Sequence, residues 1–164
     1  MHSAGIVLLR QRSGSDELML VHPGGPFWAK KDQHAWSIPK GEFDPDDEES
    51  LVAAKREFEE ETGHCAPAVQ YVDLGRFKAG NKQIHVWLGV ADLDAESVTS
   101  NHFEMEWPPK SGQIQSFPEV DKAAWFALAD ATTKLHKGQA PVAELVSDWL
   151  TSQRLNDSAW HLDR

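Results

Sequence analysis

Between Glu42 and Glu61 the chain places ten carboxylates against only Lys55 and Arg56, within the stretch PKGEFDPDDEESLVAAKREFEEETGH. The same stretch carries an apolar stripe at helical spacing, made by Leu51, Ala54, Phe58 and Thr62. A helix is therefore expected from about Glu48 to Thr62, capped by Asp46 or Asp47 and closed by a left-handed Gly63. Its apolar stripe has to pack on a sheet. About a quarter turn away, Glu57, Glu60 and Glu61 form a second face that continues through the small residues Ala53 and Ser50. Acids in the last turns oppose the helix dipole, and each like-charge pair costs on the order of 0.2 to 0.5 kcal/mol. Such a face calls for a cation. Clustered carboxylates are hard oxygen ligands, suited to magnesium or manganese, and the chain has neither a cysteine cluster nor a paired-histidine motif for zinc. A calcium loop beginning at Asp44, Asp46 and Glu48 breaks down at Glu49, where glycine is required, and at Lys55, where a bidentate glutamate belongs.

The rest of the composition confines the acidity to this segment, which supplies eight of the ten net negative charges. No basic stripe is present to displace counterions from phosphates, so a nucleic acid polymer is not an expected partner. The 164 residues fit one domain, 1–164, with 152–164 as a loosely packed tail. No apolar run is long enough to span a bilayer, and MHSAGIVLLRQR lacks the basic lead of a signal peptide. A cytoplasmic protein without membrane contact is expected, as a monomer or homodimer. Cys65 stands alone and is expected to be an inert packing residue.

Strands are expected at Ala4 to Leu9 and Glu17 to His22, then a short one at Trp36 to Ile38. Val69 to Lys78 and Gln83 to Val90 should form a hairpin, with Ile84, Val86 and Leu88 on one face and His85 and Trp87 on the other. Asn101 to Pro118, broken by Pro108, Pro109 and Gly112, is expected to be an ordered loop. A last strand at Ala123 to Phe126 precedes helices at Leu128 to Leu135 and Pro141 to Leu150. Interleaved elements of this kind predict an α/β fold, a mixed sheet with helices on both faces.

In order, Gly41, Glu48, Arg56, Glu57, Phe58, Glu60, Glu61 and Gly63 resemble the Nudix box, G-x5-E-x7-R-E-U-x-E-E-x-G-U with U a bulky apolar residue. REFEEETG fits every fixed position. Two departures stand out: six residues separate Gly41 from Glu48, and His64 replaces the final apolar residue. The resemblance implies an α/β/α sandwich and a magnesium- or manganese-dependent hydrolase that cleaves a nucleoside diphosphate linked to another moiety. It also implies Glu57, Glu60, Glu61 and the carbonyl of Gly41 as metal ligands, with Arg56 pairing with Glu48 or a neighbouring acid. The base is left among the helix glutamates, such as Glu57 and Glu60, and the loop residues Glu104, Glu106 and Glu119.

PKG ahead of the box is similar to diadenosine tetraphosphate and diphosphoinositol polyphosphate hydrolases, with Lys40 placed to meet a phosphate. The second class needs a markedly basic pocket, which an acidic chain does not advertise. Dinucleoside polyphosphates and nucleoside triphosphates are therefore preferred. Lys30, Lys31, Lys82 and Lys110 are further phosphate candidates, and Trp28, Trp107 and Phe103 can stack on a base. Trp36, Trp87, Trp125 and Trp149 read as core. A nucleotide sensor that does not cleave, and a plain acidic interaction domain, remain alternatives. If the acidic face holds a metal, magnesium raises the melting temperature of the parent and not that of Glu60→Gln with Glu61→Gln; equal responses would sink the idea.

Overall fold

The run SAGIVLL is buried on both faces because it lies in the middle of a sheet rather than at its rim. In the computed structural model, which describes residues 1–162, it belongs to strand β1 (His2–Arg12). β1 pairs in parallel with β5 (Lys82–Val90) along one edge. Its other edge is divided: Leu9 to Arg12 pair with β2 (Ser15–Pro23), and His2 to Gly5 pair with β3 (Lys40–Phe43), both antiparallel. The sheet runs β4 (Tyr71–Ala79), β5, β1, β2, β8 (Val120–Ala127), with β3 filling the place that β2 leaves as it diverges toward β8.

Alternation along β1 sorts its side chains to two cores. Ala4, Ile6 and Leu8 meet Met19 and helix α1 (Ser50–Thr62) through Ala53, Ala54 and Phe58. Val7 and Leu9 face the opposite core, with Leu18, Leu20, Ile84, Val86 and Leu88, under α2 (Leu128–Lys134) and α3 (Ala140–Leu162). The result is the expected α/β architecture, a mixed sheet between helical layers.

Several boundaries differ from the sequence reading. Trp36 to Ile38 makes only isolated bridges, Ser37 to Val21 and Trp36 to Leu135, and the strand proper lies at Lys40–Phe43. The last strand and the last helix are both longer than expected, and α3 runs through residues assigned to a tail. Residues 163–164 of that tail lie outside the described residues. Asn101 to Pro118 is not a loop but a separate two-stranded sheet, β6 (His102–Glu106) against β7 (Ile114–Pro118), in which Phe103 and Met105 point one way and Glu104 and Glu106 the other. Five-residue strands around a turn rich in proline and glycine are too short to show a period above the breaker signal.

Helix α1 begins two residues late and without the expected aspartate cap; Glu49 is its N-cap and makes no side-chain capping bond. Gly63 closes it as expected, at φ 74° with its N–H bonded to Glu59 O at 2.8 Å. With no cap and no basic residue in its last turn, α1 depends on burial of its inner face. Cys65 is exposed, not packed. Phe58→Ala removes the largest fully buried side chain of that face and should cost about 3 to 5 kcal/mol in urea unfolding; a cost below about 1 kcal/mol would contradict this account.

Candidate active site

Arg56 organises the acidic face. Its Nε and Nη2 donate to the two oxygens of Glu48, both at 3.0 Å, so the extra residue before Glu48 does not remove that glutamate from the site. Nη1 donates to Glu57 at 2.8 Å and reaches Glu60 at 3.5 Å, while Nη2 lies 3.4 Å from Glu42 O. Glu48 is held below the usual carboxylate range by this pairing, and Arg56 above its own ordinary value.

Glu57 and Glu61 are less well solvated. Partial burial raises Glu57 against the opposing pull of Arg56, with the charge of Glu60 adding to the rise. Glu61 is pushed up to about 8, chiefly by burial; its Oε2 accepts from Lys40 N at 3.2 Å, and Glu57 and Glu119 lie close enough to raise it further. The peptide of β3 passes directly over Glu57: a Cβ on Gly41 would fall 2.0 Å from Glu57 Cδ. Only glycine allows this approach.

The donors available here, carboxylates and the Gly41 carbonyl, fit a hard divalent cation in kind. Among the described residues, no three acidic, histidine or cysteine side chains stand close enough to form a ready-made site. Arg56 occupies part of the Glu57 carboxylate and Glu61 bonds backward to β3, so the face does not converge as the helical spacing alone suggests. Nor is its continuation open. Ala53 is buried and Ser50 bonds to His85 on β5.

A cavity of about 360 Å³ lies where β2 and β3 diverge, with Lys40, Glu61, Lys82 and Glu119 among its polar walls and Trp28, Ile84 and Val120 among its apolar ones. Burial lowers Lys40, with the nearby charge of Lys82 adding to the effect, so both lysines crowd positive charge beside the acids. Glu119 arrives by a relay of backbone bonds. Asn101 N donates to Glu60 O at 3.0 Å, Glu119 N to Asn101 O at 2.8 Å, and Gly24 N to Glu119 O at 2.9 Å. A second, larger cavity of about 490 Å³ adjoins the first, sharing Pro23, Trp28 and Glu119, and is walled by Phe27, Phe103 and Met105.

The structure thus gathers Lys40, Gly41, Arg56, Glu57, Glu60, Glu61 and Trp28 around one region. It does not bring in Glu104 or Glu106, which sit on the exposed face of β6, opposite Phe103 and Met105. Lys30 is exposed and lines neither cavity, and Trp107 packs edge-on against Phe27 at 5.3 Å outside both. His136 and Gln139, which also line the first cavity, gave no signal in sequence. Gln139 accepts from Ile38 N at 3.1 Å and donates to Ser37 Oγ at 2.9 Å, a link across a hundred residues that no local pattern encodes.

A family model described as the NUDIX domain matches residues 1–149. The chain belongs to the Nudix family. A 17.7 kDa protein from the e-segB intergenic region of Enterobacteria phage T4 is 30% identical over 132 residues, covering 79% of this chain and 82% of the phage protein. Among solved structures, a C. elegans Ap4A hydrolase in a binary complex superposes with a TM-score of 0.61 at 22% identity, covering 92% of this chain and 98% of that one. The NUDIX domain of Shewanella oneidensis NrtR, complexed with ADP ribose, gives 0.59 at 16% identity over 92% and 88% of the two chains. At these identities the likeness is one of fold. No described helix is long and apolar enough to cross a membrane.

Glu61 gives the Nudix site a pH signature. With its folded value near 8 against an ordinary 4.5, the folded state keeps a proton that the unfolded state has lost between those two values. This carboxyl therefore makes the metal-free fold lose stability as pH rises through that window. In chelator, the melting temperature of the parent should fall more steeply between about pH 5 and about pH 8 than that of Glu61→Gln; parallel curves would refute the assignment.

Proposed function

We propose that this Nudix hydrolase cleaves a pyrophosphate bond in a nucleoside diphosphate derivative, a dinucleoside polyphosphate in preference to a nucleoside triphosphate. The observation that carries the reading is the pair of adjoining cavities sharing Trp28 and Glu119. One has lysines and carboxylates at its wall and the other is aromatic and apolar, an arrangement suited to a phosphate chain carrying a nucleoside, and the preference for a second nucleoside on that chain rests on PKG ahead of the box. With Lys40 and Lys82 set among acids, the first cavity lacks the positive charge that an inositol bearing many phosphates would need. That alternative is disfavoured.

Glu57, Glu60, Glu61 and the Gly41 carbonyl would hold magnesium or manganese, which would supply positive charge against the bridging phosphates and acidify a water. Arg56 orients Glu48 and Glu57 from behind. Lys40 and Lys82 meet phosphate oxygens from the cavity wall, and the indole of Trp28, with Lys31 Nζ 4.8 Å from its centroid, offers a stacking plane. Glu119, placed by its backbone bonds beside Glu61 and with its own carboxylate exposed, takes the proton of the attacking water in this reading. It replaces Glu104 and Glu106 in that role.

A nucleotide sensor is the second reading, favoured by one observation: Arg56 engages Glu57 and leaves no ready-made trio of carboxylates among the described residues. Product analysis separates the two. With magnesium and a panel of diadenosine polyphosphates, nucleoside triphosphates, ADP-ribose and a diphosphoinositol phosphate, the parent should cleave the diadenosine compounds best. Glu61→Gln should lose on the order of 10²-fold or more in kcat, and Trp28→Ala should raise KM with a smaller effect on kcat. Tight binding without turnover by the parent would establish the sensor instead.

A further inference from the structure

A separate cavity of about 250 Å³ opens beside the first turn of α1, lined by Ser3, Glu48, Ser50, Arg76, Gln83 and His85 among others, and it shares no residue with the cavity of Lys40 and Glu61. Ser50, the first residue of α1, lies roughly 10 Å along the helix from Glu57.

At the wall of this cavity Ser50 and His85 stand in line with Asp73, which bonds the far side of the ring from outside the cavity. Ser50 Oγ is 2.6 Å from His85 Nδ1, and His85 Nε2 is 2.7 Å from Asp73 Oδ1. The same Asp73 oxygen accepts from Gly75 N at 2.8 Å, and an ionised carboxylate has no hydrogen to give, so Nε2 is the protonated ring nitrogen. Nδ1 is then an acceptor, open to the hydroxyl of Ser50. Arg76 Nε also points toward Nδ1, at 3.4 Å, which agrees with that tautomer. Trp87 Nε1 donates to Ser50 Oγ at 3.0 Å, directing the hydroxyl hydrogen to the histidine. His85 is buried, and its ring lies 4.8 Å from that of Trp87, so it is held in one orientation.

Two independent features point to a ligand. Ser3, 1% exposed and lining the same cavity, has a buried hydroxyl with no hydrogen-bond partner. The first turn of α1 has no side-chain cap, which leaves its N–H groups for a developing negative charge.

From this geometry we infer that Ser50 is a nucleophile, His85 its base and Asp73 the group that positions the base, forming a second hydrolytic site for small carboxylic esters that uses none of Glu57, Glu60 and Glu61 and meets the acidic face only at Glu48. Ser50 Oγ attacks the acyl carbon as its proton passes to His85 Nδ1. The ester C–O bond breaks, and the alcohol leaves with that proton. Water then attacks the acyl-serine, giving its proton to His85, which returns it to Ser50 as the carboxylic acid departs. Ser3 and Arg76 supply donors to the acyl group, and the volume limits that group to a few carbons.

The test is run in chelator, so that metal-dependent turnover is silent, with a fluorophosphonate probe and p-nitrophenyl acetate. Expected are one adduct per chain, mapped by mass spectrometry to Ser50, and a stoichiometric burst of p-nitrophenol. Ser50→Ala should abolish both while keeping nucleotide turnover, with a lower melting temperature because Trp87 Nε1 and His85 Nδ1 lose their partner. His85→Gln, or Asp73→Asn if the first does not fold, should slow labelling on the order of 10²-fold. Glu61→Gln should label like the parent. Absence of an adduct at Ser50, or equal labelling of Ser50→Ala, would overturn the inference and reduce the three residues to a brace between α1 and the β4–β5 hairpin.

Discussion

The guanidinium of Arg56 is the contact on which the acidic face depends. It joins the loop residue Glu48, the helix residues Glu57 and Glu60 and the β3 carbonyl of Glu42, so a segment of otherwise repelling charges is tied together from one planar centre. Lysine could not replace it, because the bidentate grip on Glu48 and the third contact to Glu57 need the rigid fork of donors. Burial does the rest: Phe58 and the two alanines fix the helix against β1, and the passage of Gly41 over Glu57 locks β3 to the same turn.

Placement of the remaining groups follows from the divided edge of β1. Because β2 leaves that edge after Leu9 and β3 takes it up only at Gly5, the chain at 36–39 fills the gap, Ser37 bonding Val21 and Pro39 O accepting from Ile6 N, and the cavity with Lys40 and Glu61 lies beside that segment. The segment after α1 is drawn into the same place by backbone bonds from Asn101 to Glu60 and from Glu119 to Asn101. Glu119 therefore reaches the acidic face although nearly sixty residues separate it from the helix.

The helix, its carboxylates, its closing glycine and the pairing of Arg56 with Glu48 were legible because each is a local pattern, written in spacing and in a motif. The face of β5 was legible for the same reason, through strict alternation of Ile84, Val86 and Leu88 against His85 and Trp87. What escaped is what distance decides. The hairpin at 102–118 hid behind its prolines, and with it the fact that Glu104 and Glu106 face away from Phe103 and Met105. The second face of α1 continues through the small residues Ala53 and Ser50, but Ser50 is taken by His85, a partner 35 residues on. Gln139 and His136 enter the cavity through contacts with the 36–38 segment, for which sequence offers no periodic trace.

The central position of β1 has a consequence during biosynthesis. Its parallel neighbour β5 begins some eighty residues later, and β8, which closes the sheet beside β2, later still. At about 5 to 20 residues per second, the most apolar strand waits on the order of several seconds on the ribosome before its partner exists. Until then its β5 edge is a target for holding factors or for strands of neighbouring nascent chains, while β2, β3 and α1, all made earlier, can cover only its other edge and one of its faces.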